Sequence, residues 1–145
     1  MKGYWKAPEL TAAALAGGWL KTGDLGRLDD DGYLSILDRK KDLILRGGFN
    51  VFPRDVEEAL LEHPAIATAC VVGRPDEAYG EEVVAFVTLG HRATSDELIA
   101  FGRQRLGGYK YPREIHIVET LPLTRVGKAD RKALRERLTM ERGAA

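Results

Sequence analysis

The chain has 145 residues, of which 44% are hydrophobic and 30% charged, and its mean hydropathy is −0.26. This length suits one domain of ordinary size, which needs no disulfide or metal for stability. The formal net charge is zero and the pI is about 6.8, so global charge does not favour nucleic acid or an anionic membrane as partner. No apolar run is long enough to span a membrane and no signal peptide begins the chain, so we expect a cytoplasmic location.

Two β-hairpins are predicted in the first third of the chain. In the first, alternating apolar residues flank an Asp-Gly turn at residues 29–32, which is a strong hairpin signal. In the second, residues 43–45 and 49–52 flank a turn with two glycines. The charged run 38–42 lies between the hairpins, and we interpret it as a solvated connector that belongs to no core.

From Pro53 onward, helical and strand patterns alternate. Pro53 suits the first turn of a helix, because a missing N–H costs nothing there, and His63-Pro64 ends that helix. Thr94 and Glu97 form a capping box for a second helix. The other predicted elements are strands over 66–73, 82–89 and 114–119, a last helix over about 129–138, and a frayed tail over 141–145. The pattern predicts an α+β, three-layer domain with a central sheet of about three strands, preceded by β-hairpins.

The single cysteine and the three histidines give no sign of a metal or redox site. Cys70 lies in the apolar run 65–72 and is interpreted as a small core residue of a protein in a reducing compartment. His63, His91 and His116 lie far apart and do not have the spacing of metal ligands.

Lys128 is the first candidate for chemistry. It lies on a glycine-containing loop between a predicted strand and the last helix. A lysine there offers a compact cation on a flexible stem, which can contact a phosphate in one state and release it in another. A solvated surface lysine is the alternative interpretation.

Asp24, Arg39 and two glycines are the other candidates. Asp24 follows a glycine at the start of the first hairpin and could accept hydrogen bonds from a ribose diol, or simply cap a turn. Arg39 could donate to the same ribose, or pair with a neighbouring aspartate. Gly47 and Gly48 permit positive φ and a close approach of a ligand to the backbone, or only form a hairpin turn.

Four segments, in this order, resemble the C-terminal portion of the acyl-CoA synthetase branch of the adenylate-forming (AMP-binding) superfamily. They are GWLKTGDLG at 18–26, similar to the family's ribose-binding segment; DRKKDLI at 38–44, similar to its hinge; GGFNVFP at 47–53, similar to the loop and helix start after the hinge; and PLTRVGK at 122–128, similar to the segment of its catalytic lysine. Each segment alone is a weak signal, but together they are specific.

The resemblance implies a two-step reaction, in which ATP and a carboxylate give an acyl-adenylate and coenzyme A then displaces AMP. Lys128 would bridge the carboxylate and phosphate oxygens, and Asp24 with Arg39 would bind the ribose. Lys41 would be the hinge. Arg46, Gly47 and Gly48 would form the coenzyme A site, with Gly48 beside the pantetheine arm, although many relatives have serine before the glycines.

The resemblance also implies a division of the chain. Residues 1–40 would be the end of the large adenylating domain, and residues 41–145 the mobile C-terminal domain. The family's phosphate loop, carboxylate pocket and Mg²⁺ ligands would lie in the upstream domain, which is then the main partner. The chain alone is therefore expected to lack activity, and its small-molecule substrate would be a fatty or aryl carboxylic acid.

Two alternatives stay open. The first is an adenylation domain that loads a carrier protein; the hinge argues against it, because such enzymes usually have aspartate at position 41. The second is a non-catalytic binding or interaction module.

Overall fold

The computed structural model describes the backbone of residues 1–143 and the side chains of residues 1–140. It divides into two compact units, Met1–Lys41 and Asp42–Ala145. None of the helices in the described part of the chain combines the length and the apolar composition that a membrane crossing requires.

The first unit is built mainly around one hairpin. Its elements are α1 (Pro8–Ala14), β1 (Leu15–Ala16), β2 (Trp19–Leu20), β3 (Asp24–Leu28) and β4 (Leu34–Arg39). β3 and β4 are antiparallel, with a register shift between Leu25 and Gly26. Asp29 closes the turn, since its Oδ1 accepts hydrogen bonds from the backbone N–H groups of Asp31 and Tyr33 at 3.1 and 2.8 Å. The first predicted hairpin is therefore confirmed.

The second unit alternates strands and helices after a short 3₁₀ turn at Lys40–Asp42, which spans the boundary between the units. Its further elements are β5 (Ile44–Arg46), β6 (Phe49–Val51), α2 (Pro53–Leu61), β7 (Ile66–Asp76), β8 (Gly80–Leu89), α3 (Ser95–Arg105), β9 (Glu114–Ile117) and α4 (Arg131–Gly143).

A five-stranded sheet forms the centre of this unit. The strand order is β6-β5-β8-β7, and β9 also pairs with β8. β7 and β8 are antiparallel along most of their length, and β9 lies parallel to β8 over Val84–Val87. The three predicted strands are β7, β8 and β9, with β8 between the other two, and the second predicted hairpin adds β5 and β6 at Arg46↔Gly80.

Helices cover both faces of the sheet, which confirms the predicted three-layer α+β domain. Alternate strand residues point to opposite faces, and they divide into two buried clusters. On one face the cluster includes Val56 and Leu60 of α2 and Leu98 of α3. On the other it includes Leu134 and Leu138 of α4, which pack with Cys70, Val72, Val84 and Phe86.

The helix ends follow local chemistry. The capping box is confirmed, because the Thr94 side chain accepts from the Glu97 N–H and the Glu97 side chain accepts from the Thr94 N–H.

α4 begins two residues later than predicted, because Asp130 Oδ1 accepts from the backbone N–H groups of Lys132 and Ala133. It continues to Gly143 rather than ending near 138. Of the tail that was expected to fray, Ala144 and Ala145 lie outside the described residues.

The interpretation of run 38–42 as a wholly solvated connector is wrong at Asp42. This residue is only 6% exposed, and its Oδ1 accepts a hydrogen bond from Arg135 Nη2 at 2.9 Å. A carboxylate can be buried when a cation compensates it. The sequence pattern does not indicate this partner, because Arg135 lies 93 residues away on α4.

Adjacent leucines of α2 provide a test of the core. Leu60 is 0% exposed, whereas Leu61 is 46% exposed. We expect Leu60→Ala to lower the free energy of unfolding by about 2–5 kcal/mol, because it removes buried methyl groups and leaves a cavity. Leu61→Ala should change it by less than about 1 kcal/mol. Urea unfolding of both variants measures the difference, and equal losses would contradict the assigned helix face.

Candidate functional site

Asp24 and Arg39 form an ion pair at the end of the first hairpin. They are directly opposite in the β3–β4 register, and Arg39 Nε lies 2.7 Å from Asp24 Oδ1. The Arg39 side chain is 58% exposed and that of Asp24 is 27% exposed. The Arg39 guanidinium therefore pairs across the hairpin with Asp24, and it keeps further N–H donors at the surface.

A surface pocket adjoins this pair within the first unit. It is lined by Thr22, Gly23, Arg39, Lys40 and Lys41. Gly23 has a φ of 77°, a value that favours glycine, and its carbonyl accepts from the Lys40 N–H at 2.8 Å. The pocket therefore brings together the residues before Asp24 and those that lead to the boundary between the units.

Lys41 is exposed and is the last residue of the first unit. The next residue is the buried Asp42, which is anchored to α4 through Arg135. The chain thus changes from an exposed lysine to an anchored aspartate at one peptide bond.

The Gly47-Gly48 turn has the conformation of a type I′ hairpin turn. Its φ angles are 55° and 82°, and two successive positive values are typical of this turn and favour glycine. The Gly47 N–H donates to the Tyr79 carbonyl at 2.8 Å, which ties the turn to the start of β8. A Cβ at Gly48 would meet nothing within 4 Å. The backbone there is open to a neighbouring molecule.

Arg46 is buried beneath this turn. Its Nε and Nη2 donate to the two carboxylate oxygens of Glu82 at 2.5 and 2.9 Å, and its guanidinium lies 4.3 Å from the Tyr79 ring centroid. The hydrogen bond to Glu82 raises the pKa of Arg46, against the opposite effect of burial. This geometry fixes the turn to β8 and leaves Arg46 little freedom to reach a ligand, so its part in coenzyme A binding stays a prediction.

Lys128 lies on a closed loop between β9 and α4. Leu123 and Ala129 form an isolated antiparallel bridge. Inside it, the Thr124 N–H donates to the Lys128 carbonyl at 2.7 Å, and the Lys128 N–H donates to Thr124 Oγ1 at 3.2 Å. Gly127 has a φ of 75°. The backbone is therefore well fixed, while the Lys128 side chain is exposed and forms no hydrogen bond or ion pair with the described residues.

The second unit also buries a thiol without activating it. Cys70 is 1% exposed, and burial raises the pKa of its thiol to about 11, although Arg131 opposes the shift. Its interpretation as a core residue is confirmed. Among the described residues, no group of three or more His, Cys, Asp or Glu side chains could hold a metal ion.

The structure joins some predicted residues and leaves others apart. Asp24 contacts Arg39, and Gly47 and Gly48 share one turn, but no hydrogen bond joins the described residues of that turn to Lys128. Sequence reasoning missed Glu82, Tyr79 and Arg135, which hold predicted residues in place. No local signal could have found them, because Glu82 lies 36 residues from Arg46.

Comparison with known proteins identifies the family. The family model described as AMP-binding enzyme C-terminal domain matches residues 55–128, just over half of the chain. The chain belongs to this family. A long-chain-fatty-acid–CoA ligase of Bacillus subtilis is 52% identical over 141 residues, which cover 96% of this chain and 25% of the relative. The chain thus spans about a quarter of that relative's length.

Solved structures similar to this chain include a CoA synthetase and an amide bond synthetase. One is o-succinylbenzoate CoA synthetase from Bacillus subtilis in complex with an acyl-adenylate intermediate, with a TM-score of 0.87 and 40% identity over 93% of this chain and 28% of that one. The other is an amide bond synthetase from Marinactinospora thermotolerans, with a TM-score of 0.85 and 43% identity over 94% of this chain and 28% of that one. The AMP-binding C-terminal fold is therefore shared by enzymes named for different products.

Gly48 and Gly108 allow the cost of backbone strain to be measured without any steric clash of the added methyl group. Gly48 has a positive φ, Gly108 does not, and a Cβ at either would meet nothing within 4 Å. We expect Gly48→Ala to lower the free energy of unfolding by about 1–2 kcal/mol, because alanine is strained at positive φ. Gly108→Ala should be neutral or stabilising by up to about 1 kcal/mol. Chemical denaturation measures both, and equal effects would contradict the I′ turn.

Proposed function

We propose that this chain is the C-terminal portion of an AMP-forming acid–thiol ligase, which converts a carboxylic acid to an acyl-adenylate with ATP and then transfers the acyl group to coenzyme A. The observation that carries the proposal is the exposed ammonium of Lys128, which has no partner among the described side chains and lies on a loop whose backbone is closed by hydrogen bonds. Family membership supports it, and the activity belongs to the whole enzyme, not to this chain alone.

Asp24 and Arg39 would hold the ribose of the nucleotide. Asp24 uses Oδ1 for the ion pair with Arg39, and its Oδ2 can accept a hydrogen bond from a ribose hydroxyl. Arg39 uses Nε for the ion pair with Asp24 and can donate hydrogen bonds to a ligand through its terminal nitrogens. An acceptor and a donor held side by side suit a vicinal diol, and the adjoining pocket provides space.

Lys128 would act in adenylate formation. In that step, a carboxylate oxygen attacks the α-phosphorus of ATP, the bond to the bridging oxygen breaks, and pyrophosphate leaves. Negative charge on both reactants opposes their approach. A lysine ammonium between the carboxylate and the α-phosphate would offset this charge, which is usually a large catalytic contribution.

The Gly47-Gly48 turn would act in the second step, in which the coenzyme A thiol attacks the acyl carbonyl and AMP leaves. The open space at Gly48 suits the passage of a narrow pantetheine arm. Rotation at Lys41, which ends the first unit, would exchange Lys128 for this turn at the reaction centre.

The substrate would be a fatty or aryl carboxylic acid, which is supported by the names of a long-chain-fatty-acid–CoA ligase and an o-succinylbenzoate CoA synthetase among the similar proteins. The location would be cytoplasmic. The family resemblance implies that the Mg²⁺ ligands would lie in the upstream domain. A carrier protein or an amine is the competing acceptor, because an amide bond synthetase shares the fold. Product assays with each acceptor separate these cases.

Lys128→Ala is the direct test in the full-length ligase. We expect adenylate formation, followed as acid-dependent pyrophosphate release, to fall by about 100-fold or more, because the compensating cation is lost. Thioester formation from supplied acyl-adenylate and coenzyme A should stay within about 2-fold of wild type, because Lys128 is withdrawn in that step.

Lys132→Ala is the matched control, because this lysine is also exposed, at 84%, and lies near Lys128 in the first turn of α4. It should leave both half-reactions unchanged. An equal loss of both half-reactions in Lys128→Ala would show that Lys128 is structural or that the domain does not alternate.

Gly48→Leu tests the second step. Compared with Gly48→Ala, which shares the positive-φ strain, leucine adds bulk in the open space above the turn. We expect the leucine variant to lose about 10-fold or more in thioester formation relative to the alanine variant, with adenylation equal in the two. A loss confined to adenylation would place the turn outside the coenzyme A path.

A further inference from the structure

Two side chains, those of Glu57 and Arg131, and the backbone of Val71 form a closed ring at the edge of the sheet. Glu57 Oε1, on α2, accepts from the Val71 N–H of β7 at 2.8 Å. The Val71 carbonyl accepts from Arg131 Nε, on α4, at 3.3 Å. Arg131 Nη2 donates to the same Glu57 oxygen at 2.7 Å. The ring therefore connects the helix layers on the two faces of the sheet through its edge strand.

The ring satisfies backbone groups that the sheet leaves unpaired. In the described part of the chain, β7 pairs only with β8, so the outer N–H and carbonyl groups of β7 have no strand partner. Unpaired edge groups in a protein need water or side chains. Glu57 and Arg131 provide both bonds at Val71, so the first residue of α4 is joined to the edge strand.

Charge strengthens the ring. The side chains of Arg131 and Glu57 are only 25% and 16% exposed, and charge-assisted hydrogen bonds that are shielded from water are stronger than neutral ones. Burial lowers the pKa of Arg131, but Glu57, Cys70 and Asp42 together more than offset this effect, so the pKa is raised overall.

The ring lies where it can control Lys128. Arg131 is the first residue of α4 and follows Lys128 by three residues. Between them, Ala129 is bridged to Leu123, and the Asp130 N–H donates to the Pro122 carbonyl at 2.8 Å. The loop is thus closed upon itself, and Arg131 joins its downstream end to β7 and α2.

We propose that Arg131, held by Glu57 and the Val71 peptide, is a positioning residue that fixes the Lys128 loop for adenylate formation. This inference rests on the proposed function. A loop attached only to α4 would pivot about the start of that helix, and a displacement of about 1 Å at a reacting group can cost about 100-fold in rate.

The experiment uses the full-length ligase and measures both half-reactions for Arg131→Gln. We expect kcat for adenylation to fall by about 10- to 100-fold, while thioester formation from supplied acyl-adenylate stays within about 2-fold. Arg131→Lys, which keeps one charged donor, should recover part of the loss. Loss of stability alone would lower both half-reactions together, and that result would overturn the proposal.

Glu57→Gln changes the partner of Arg131 in the ring, and it provides a second test if Arg131→Gln folds poorly. It keeps an oxygen acceptor but removes the charge, so adenylation should fall by a smaller factor. Glu58→Gln is the matched control, because Glu58 is adjacent to Glu57, is 62% exposed and forms an exposed ion pair with Arg54 one turn away on α2. Equal adenylation rates for the two glutamine variants would overturn the proposal.

A double-mutant cycle separates positioning from general damage. If Arg131 acts through Lys128, Arg131→Gln should have less than about 2-fold effect on adenylation in a Lys128→Ala background. A full additive loss would overturn the proposal. Lys128→Ala alone tests the proposed function, because intact adenylation in that variant would refute it. If Lys128→Ala loses most adenylation while Arg131→Gln keeps the wild-type adenylation rate, only the inference about Arg131 is refuted.

Discussion

The second unit depends on β8, because both edges of this strand are paired. β7 covers one edge along nearly the whole strand, and β5 and β9 share the other. Six successive residues, Glu82–Val87, are buried, so side chains of alternating direction supply both cores. Within the second unit, the two segments with a proposed role, the glycine turn and the Lys128 loop, are attached to this strand directly or through one neighbouring element. The glycine turn is joined to β8 by the hydrogen bond from Gly47 to Tyr79, just before the strand, and by the ion pair between Arg46 and Glu82. Helix α4, which follows the Lys128 loop, packs against the face of β8 that carries Phe86.

Buried or partly buried ion pairs fasten the ends of elements that the apolar core does not reach. Arg46–Glu82 fixes the glycine turn, Asp42–Arg135 fixes the first residue of the second unit, and Glu57–Arg131 fixes the start of α4. Removing one partner from such a pair leaves an uncompensated charge, which typically costs about 3–5 kcal/mol when the pair is fully buried. An apolar contact is non-directional, whereas these pairs hold backbone segments at defined positions. Such control is useful where a loop must place one cation.

Much of this architecture could be predicted from local signals. The Asp-Gly turn, the capping box at Thr94 and Glu97 and the helix start at Pro53 each depend on residues within one turn, and the structure has all three. Long-range pairs could not be predicted, since nothing near Asp42 or Arg46 indicates a partner 93 or 36 residues away. For the same reason the sequence pattern of run 38–42 predicts a fully solvated connector, although Asp42 is buried. The site residues came from ordered motifs rather than from local physics, and their roles stay predictions.

The internal rigidity of the second unit bears on how the proposed two-step reaction would work. The glycine turn and the Lys128 loop are both closed by backbone hydrogen bonds, and neither needs to refold to present its functional group. If both are fixed to the same sheet, then exchanging one for the other requires movement only where the chain joins the units. There, exposed Lys41 is followed at once by anchored Asp42. A flexible Lys128 loop would make rotation less effective, because the cation would reach its position only part of the time. Rigidity within the unit is therefore what would let a change at a single peptide bond select between two half-reactions.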